Sequence, residues 1–198
     1  MEVGADPGWL SAVMAGVALS AASGLRVFLP LLALGLAVRL EWLEVGTGFA
    51  WLASDPVLLV LAIAAAFEIL AFLVPWVDNL ADVLASPAAV GSGILIVSSL
   101  LPEMSPAAQW SLAAVLGGGP AGIVQGASVL GRGASTAGSG GLANPLYGLL
   151  ESAGSMLVIV LVFIIPVLAG LLVLLGLALI IGLLLSRRRR PEPGENPS

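Results

Sequence analysis

From Trp9 to Val38 the chain runs apolar for 30 residues, interrupted by one guanidinium at Arg26. As one straight helix this stretch would measure about 45 Å, against a hydrocarbon core of about 30 Å. It must therefore break, tilt or re-enter. Gly24, after Ser23, and Pro30 flank Arg26 and are the places where it can do so, because glycine weakens a helix and proline removes a donor and clashes with the preceding turn. A guanidinium at membrane depth costs about 3 kcal/mol or more unless it is partnered or hydrated. Arg26 is expected to face a bundle interior or a wet cavity; snorkelling to the interface is the plain alternative.

Composition sets the class. Mean hydropathy is +1.11 and only 10% of residues are charged, against roughly 25% in soluble domains. The fold class is an all-α polytopic membrane protein of about six transmembrane or re-entrant helices, several broken at Gly or Pro. The chain has no lysine, histidine or cysteine. Thiol nucleophiles, Cys/His metal sites, Schiff-base lysine and imidazole acid/base chemistry are excluded, so no enzyme, metal or cofactor is expected. A membrane enzyme limited to carboxylate chemistry is a distant third reading.

Four of the seven basic residues, Arg187 to Arg190, follow the last apolar run directly. Such a cluster marks the cytoplasmic side and attracts anionic headgroups, so a multi-pass protein of the inner (plasma) membrane with a cytoplasmic C-terminus is expected. Membrane lipids are the expected partners and nucleic acid is not; a homo-oligomer is compatible with the sequence. The first residues lack the positive n-region of a signal peptide, so the first apolar segment reads as a retained anchor. Residues 1–8 read as a tail, 9–186 as a single transmembrane helical domain, and 187–198 as a basic and then disordered cytoplasmic tail.

Along the chain, Glu41, Trp42 and Glu44 form an acidic, aromatic stretch placed outside, and Val57 to Val74 is a span carrying Glu68. Pro75 to Leu84 has the period of a short interfacial helix, with Asp78 and Asp82 four apart on one face as interfacial carboxylates. Their plain role is solvation; a proton or cation site is the sharper one. Ala85 to Leu101 is a weaker span. Ala107 to Gly131 contains Gly117-Gly118-Gly119-Pro120 and is expected to be discontinuous at Gly118 and Pro120. Arg132 to Asn144 reads as a Gly/Ser-rich loop, Asn144-Pro145 as a helix cap and start, and Leu146 to Leu185 as two spans divided at Pro166. This gives six passes, within a range of five to seven, with both termini inside.

Arg26, Glu68, Glu151 and Asn144 form the expected polar centre, Arg26 pairing with Glu68 or Glu151. Ser23-Gly24-Leu25 with Pro30 faintly echoes Gly140-Gly141-Leu142 with Pro145, a pattern that inverted-repeat transporters show.

At Ser23-Gly24-Leu25-Arg26-Val27-Phe28-Leu29-Pro30, Pro75-Trp76-Val77-Asp78, and Gly140-Gly141-Leu142-Ala143-Asn144-Pro145 with Glu151, the chain resembles the DUF4126 family of bacterial membrane proteins. The resemblance covers about residues 10 to 185. It implies a polytopic inner-membrane protein and brings no established activity.

Two functions of different class fit. One is a small transporter or permeation-type protein for an ion or amphiphile, with its polar centre at broken helices. The other is a non-transporting scaffold that binds lipid or partner helices through small-residue faces.

Overall fold

The structure is a computed structural model that describes residues 7–71 and 75–188, with side chains described over 8–71 and 84–186. The described residues are helical and contain no strand. Helices α1 (Pro7–Ser23) and α2 (Phe28–Arg39) meet at the Gly24–Val27 turn. By helical rise they measure about 25 and 18 Å, each short of a hydrocarbon core. Trp9 near the start of α1 and Trp42 just beyond α2 line the same cavity. The chain thus enters and leaves at one end of the bundle, as a helical hairpin with Arg26 at its tip.

This is the break expected of Trp9 to Val38 at Gly24. The turn is possible because Gly24 has no side chain: a Cβ there would lie 2.7 Å from Val124 Cβ and 2.8 Å from the Gln125 nitrogen. Pro30, expected to be a break, is instead the third residue of α2. In the first turn its missing N–H has no intrahelical partner to lose, and its fixed φ suits the helix.

A 3-10 segment, Thr47–Ala53, leads at a 61° bend into α3 (Asp55–Ala71). Helix α4 (Pro75–Leu100) is continuous through Pro87, so the separate interfacial helix over Pro75 to Leu84 is not present. Asp78 and Asp82 belong to its first turns, and their side chains lie outside the described residues.

The expected discontinuity at Gly118 and Pro120 is also corrected. Helix α5 (Pro106–Ala113), a π turn (Ala114–Gly118) and α6 (Gly119–Ser139) form one helix of 34 residues. The widened turn keeps the axis going where a break was expected, and its spare carbonyl is taken by a neighbour: the Ser20 hydroxyl donates to Gly117 O. Opposite, a Cβ on Gly93 would sit 2.7 Å from both Gly117 O and Ser20 Oγ. α1, α4 and the π turn therefore meet backbone to backbone, the packing that small residues allow within membranes.

The expected loop from Arg132 shrinks to 140–143. α6 continues to Ser139 because Gln125, Ser128 and Arg132 are buried along one face, so this Gly/Ser-rich stretch has an inward side. It ends on Gly140 (φ 64°) and Gly141 (φ 89°), left-handed positions that favour glycine. Helix α7 (Asn144–Ile164) starts with Pro145 in its first turn, as expected, and α8 (Pro166–Arg188) begins at the expected proline.

At one end of the bundle stand the start of α1, Trp42 to Glu44, Leu100 to Pro102 and Phe163 to Pro166; at the other are the 140–143 loop and the end of α8. The start of α1 and the end of α8 are thus at opposite ends. Among the described residues, Pro106–Ser139, Asn144–Ile164 and Pro166–Ser186 are individually long and apolar enough to span a membrane, and the 3-10 segment with α3 makes a bent fourth. α1 is central, packing against α2, α4, α6, α7 and α8. Gly24 is buried at the hairpin tip whereas Leu142 of the echoing motif is 89% exposed, so the two motifs occupy unlike places.

The contact of α4 with the π turn makes a paired prediction. Gly93→Ala should lower stability by about 1–3 kcal/mol through overpacking. Gly91→Ala, on the same helix with open space around it, should be neutral or stabilise by up to about 1 kcal/mol. Thermal unfolding of the two variants in detergent checks the contrast.

Candidate functional site

Arg26 is 1% exposed and Glu151 5% exposed, so both are interior. The break at Gly24 sends Arg26 toward α7, where the guanidinium donates from Nε to Ser152 Oγ at 2.8 Å and from Nη2 to Gly148 O. Its Nη2 stands 3.7 Å from Glu151 Oε2. Glu151 is about 10 Å along α7 by helical rise, too deep for a carboxylate to be left without partners.

Its closer partner is Arg132 of α6, with Nη2 2.9 Å from Oε2 and 3.2 Å from Oε1, and Nε 3.3 Å from Oε1. Ser128, one turn before Arg132, donates its hydroxyl to Glu151 Oε1 and accepts from Arg132 Nη2 at 3.1 Å. The centre is therefore a triad: one carboxylate between two guanidiniums, on three elements. Arg132 holds it by charge-assisted hydrogen bonds, the strong kind in a low-dielectric interior, and Arg26 adds a longer ion pair.

Glu68 has a different task from the one expected. Its carboxylate accepts the N–H groups of Val27 at 2.6 Å and Phe28 at 3.0 Å, closing the start of α2. The two donors belong to a helix N-terminus, where negative charge is favoured and N–H groups lack intrahelical acceptors. Of the two acids proposed as partners for Arg26, Glu151 forms the ion pair and Glu68 holds the backbone beside it. Asn144 donates through Nδ2 to Thr136 Oγ1 at 2.9 Å and so ties the end of α6 to the start of α7.

Serines complete the tip. Ser92 donates to Ser23 Oγ at 3.0 Å and to Val27 O at 3.2 Å, and Ser155 donates to Ala22 O at 3.3 Å. Arg132, Ser128 and Ser152 were the missing members of the polar centre. Their signal is helical spacing: Gln125, Ser128 and Arg132 recur on one face of α6, as Gly148, Glu151 and Ser155 do on α7. Folding the two helices back at 140–143 lays these faces together.

Beside the tip, an apolar cavity of 340 Å³ is lined by Ala21, Leu25, Val124, Leu157, Leu177 and neighbours. A second, of 260 Å³, holds Glu68 among Val27, Phe28, Phe67 and Leu84.

The model of DUF4126, a domain of unknown function, matches residues 13–186. Neither a curated protein nor a solved structure matches the chain.

Removing the shared carboxylate takes away a buried counter-charge that Arg132 and Arg26 both meet. Glu151→Gln should cost about 3–5 kcal/mol. Glu68→Gln retains an acceptor for one of its two N–H donors and should cost less, about 1–2 kcal/mol. The order of the two unfolding temperatures in detergent is the measurement; equal losses would contradict the assignment of separate roles.

Proposed function

This chain belongs to the DUF4126 family, a domain of unknown function, and from its site we propose that it is a small membrane transporter or permeation-type protein for an anionic ion or amphiphile. The observation that carries this reading is the buried triad of Arg26, Glu151 and Arg132 at the tip of a helical hairpin. Ionised groups at membrane depth are expensive and mark ion or substrate pathways. The triad also has a property useful for exchange. Because Glu151 is shared, an incoming anion can be received by one guanidinium while the carboxylate keeps the other, and no charge is stranded. The apolar cavity past Leu25 suits the chain of an amphiphile whose charged head approaches Arg26.

The end of α8, with Arg187 to Arg190 following it, is proposed as the cytoplasmic side of an inner (plasma) membrane, on the positive-inside rule. The hairpin then opens outward, at the end that carries Glu41, Glu44 and Glu103. Residues 9–186 form the membrane domain in this reading.

A second reading has its own support. The cavities that flank the triad are lined mainly by apolar side chains. That suits a non-transporting scaffold whose exposed apolar faces, such as Leu59, Ile63, Phe67 and Leu70 on α3, meet lipid, partner helices or a second copy.

Reconstitution separates the two. Liposomes containing the protein should pass chloride or phosphate, or move a fluorescent anionic phospholipid between leaflets, faster than protein-free vesicles. Arg132→Gln should slow this about tenfold or more, a loss of roughly 1.4 kcal/mol of ligand interaction, with folding checked by thermal unfolding. Wild-type protein that moves neither ions nor lipid overturns the transport reading and leaves the scaffold.

A further inference from the structure

The end of the bundle where the hairpin opens carries a second concavity, remote from the triad. A cavity of 520 Å³ is lined by Trp9 at the start of α1, Trp42 and Glu44 beyond α2, Pro102 after α4, and Phe163 and Pro166 at the α7–α8 joint. Its volume is in the range of small-ligand sites. Trp42 and Phe163 make one wall, their rings edge to face at 6.0 Å and 68°. Interfacial tryptophans commonly form an outward belt, and Trp51 and Trp110 are half exposed in that manner. Trp9 and Trp42 differ in converging, from opposite legs of the hairpin, on one hollow that also holds a carboxylate.

Among the described residues, the charged side chain that lines it is the carboxylate of Glu44. Glu44 also lines an adjoining cavity of 470 Å³ with Glu41 and Leu43, and Glu103 follows Pro102. The neighbouring cation among the described residues, Arg39, is held by Asp55 at 2.9 Å. Aromatic faces with a carboxylate at the rim are the arrangement that receives an organic ammonium group, whose spread charge is attracted by the ring quadrupole and whose methyl or methylene groups fill apolar space. A sodium ion keeps its water and gains less from the same walls.

We propose that the cavity between Trp9, Trp42, Phe163 and Glu44 binds an organic ammonium group, either a free cation or the headgroup of a zwitterionic lipid. This site is independent of the transport reading, since it shares no residue with the triad. A lipid headgroup seated there would touch both legs of the hairpin at its mouth.

The test uses the full chain. In detergent, tryptophan fluorescence is titrated with tetramethylammonium chloride and, at equal ionic strength, with sodium chloride; in parallel, unfolding temperatures are compared in phosphatidylcholine and phosphatidylglycerol nanodiscs. A saturable response to tetramethylammonium but not sodium, weakened about threefold to thirtyfold in Trp42→Leu and Glu44→Gln, supports the site with a free cation as ligand. A higher unfolding temperature in phosphatidylcholine that Trp42→Leu abolishes supports it with a lipid headgroup as ligand. Trp42 and Glu44 are exposed, so both variants leave the core intact. Absence of both responses in the wild type, or responses that both variants keep in full, overturns the proposal.

Discussion

A helix that starts inside a membrane bundle leaves backbone N–H groups with no water to bind, and the protein can exist only if side chains supply the acceptors. The Glu68 carboxylate does this at the start of α2, taking Val27 and Phe28 together. On the other side of the turn the need is reversed, since the end of α1 leaves carbonyls. Ser155 donates to Ala22 O, and Ser92 serves the turn at Val27 O. Hairpin depth, the position of Arg26 and the reach of that guanidinium to α7 all follow from this closure of the chain's own polar groups.

The triad is the ionic counterpart of the same rule. Arg26 comes from the hairpin, Arg132 from α6 and Glu151 from α7, so the three elements are registered by one carboxylate. Glycine lets them approach: Gly24 gives α6 room beside the tip, and Gly93 and Gly117 bring α4 against the π turn that Ser20 satisfies. Polar bonding and small-residue packing act on the same few turns, so a change to either is felt by both.

What could be read in the residues alone was what depended on local chemistry. An arginine amid apolar sequence was expected to be interior, Pro166 to divide two helices, and Pro145 to open another, and the structure has all three. Length could show that Trp9 to Val38 did not fit as one straight span, but whether it turned back was decided by Glu68 and Ser92, far along the chain. Glu68 looked like an ion-pair partner because only its charge was visible; its task came from two N–H groups that exist once the hairpin has formed. Arg132 was hidden by the Gly/Ser-rich composition around it, which resembled a loop. The regular spacing of Gln125, Ser128 and Arg132 was the better guide, since one polar face is enough to make such a stretch an inward helix. Gly118 and Pro120 misled in the same way, because a wide turn absorbed what would otherwise have been a break.

The hairpin's anchoring has a bearing on how the protein is made. Glu68, Ser92, Glu151, Ser152 and Ser155, which secure its tip, are translated after the hairpin itself. The growing polypeptide therefore emerges with a greasy segment whose polar ends have no acceptors yet, and the insertion machinery or neighbouring lipid must shelter it. Final seating waits for most of the seventh helix to leave the ribosome, so biogenesis of the first element is completed by nearly the last.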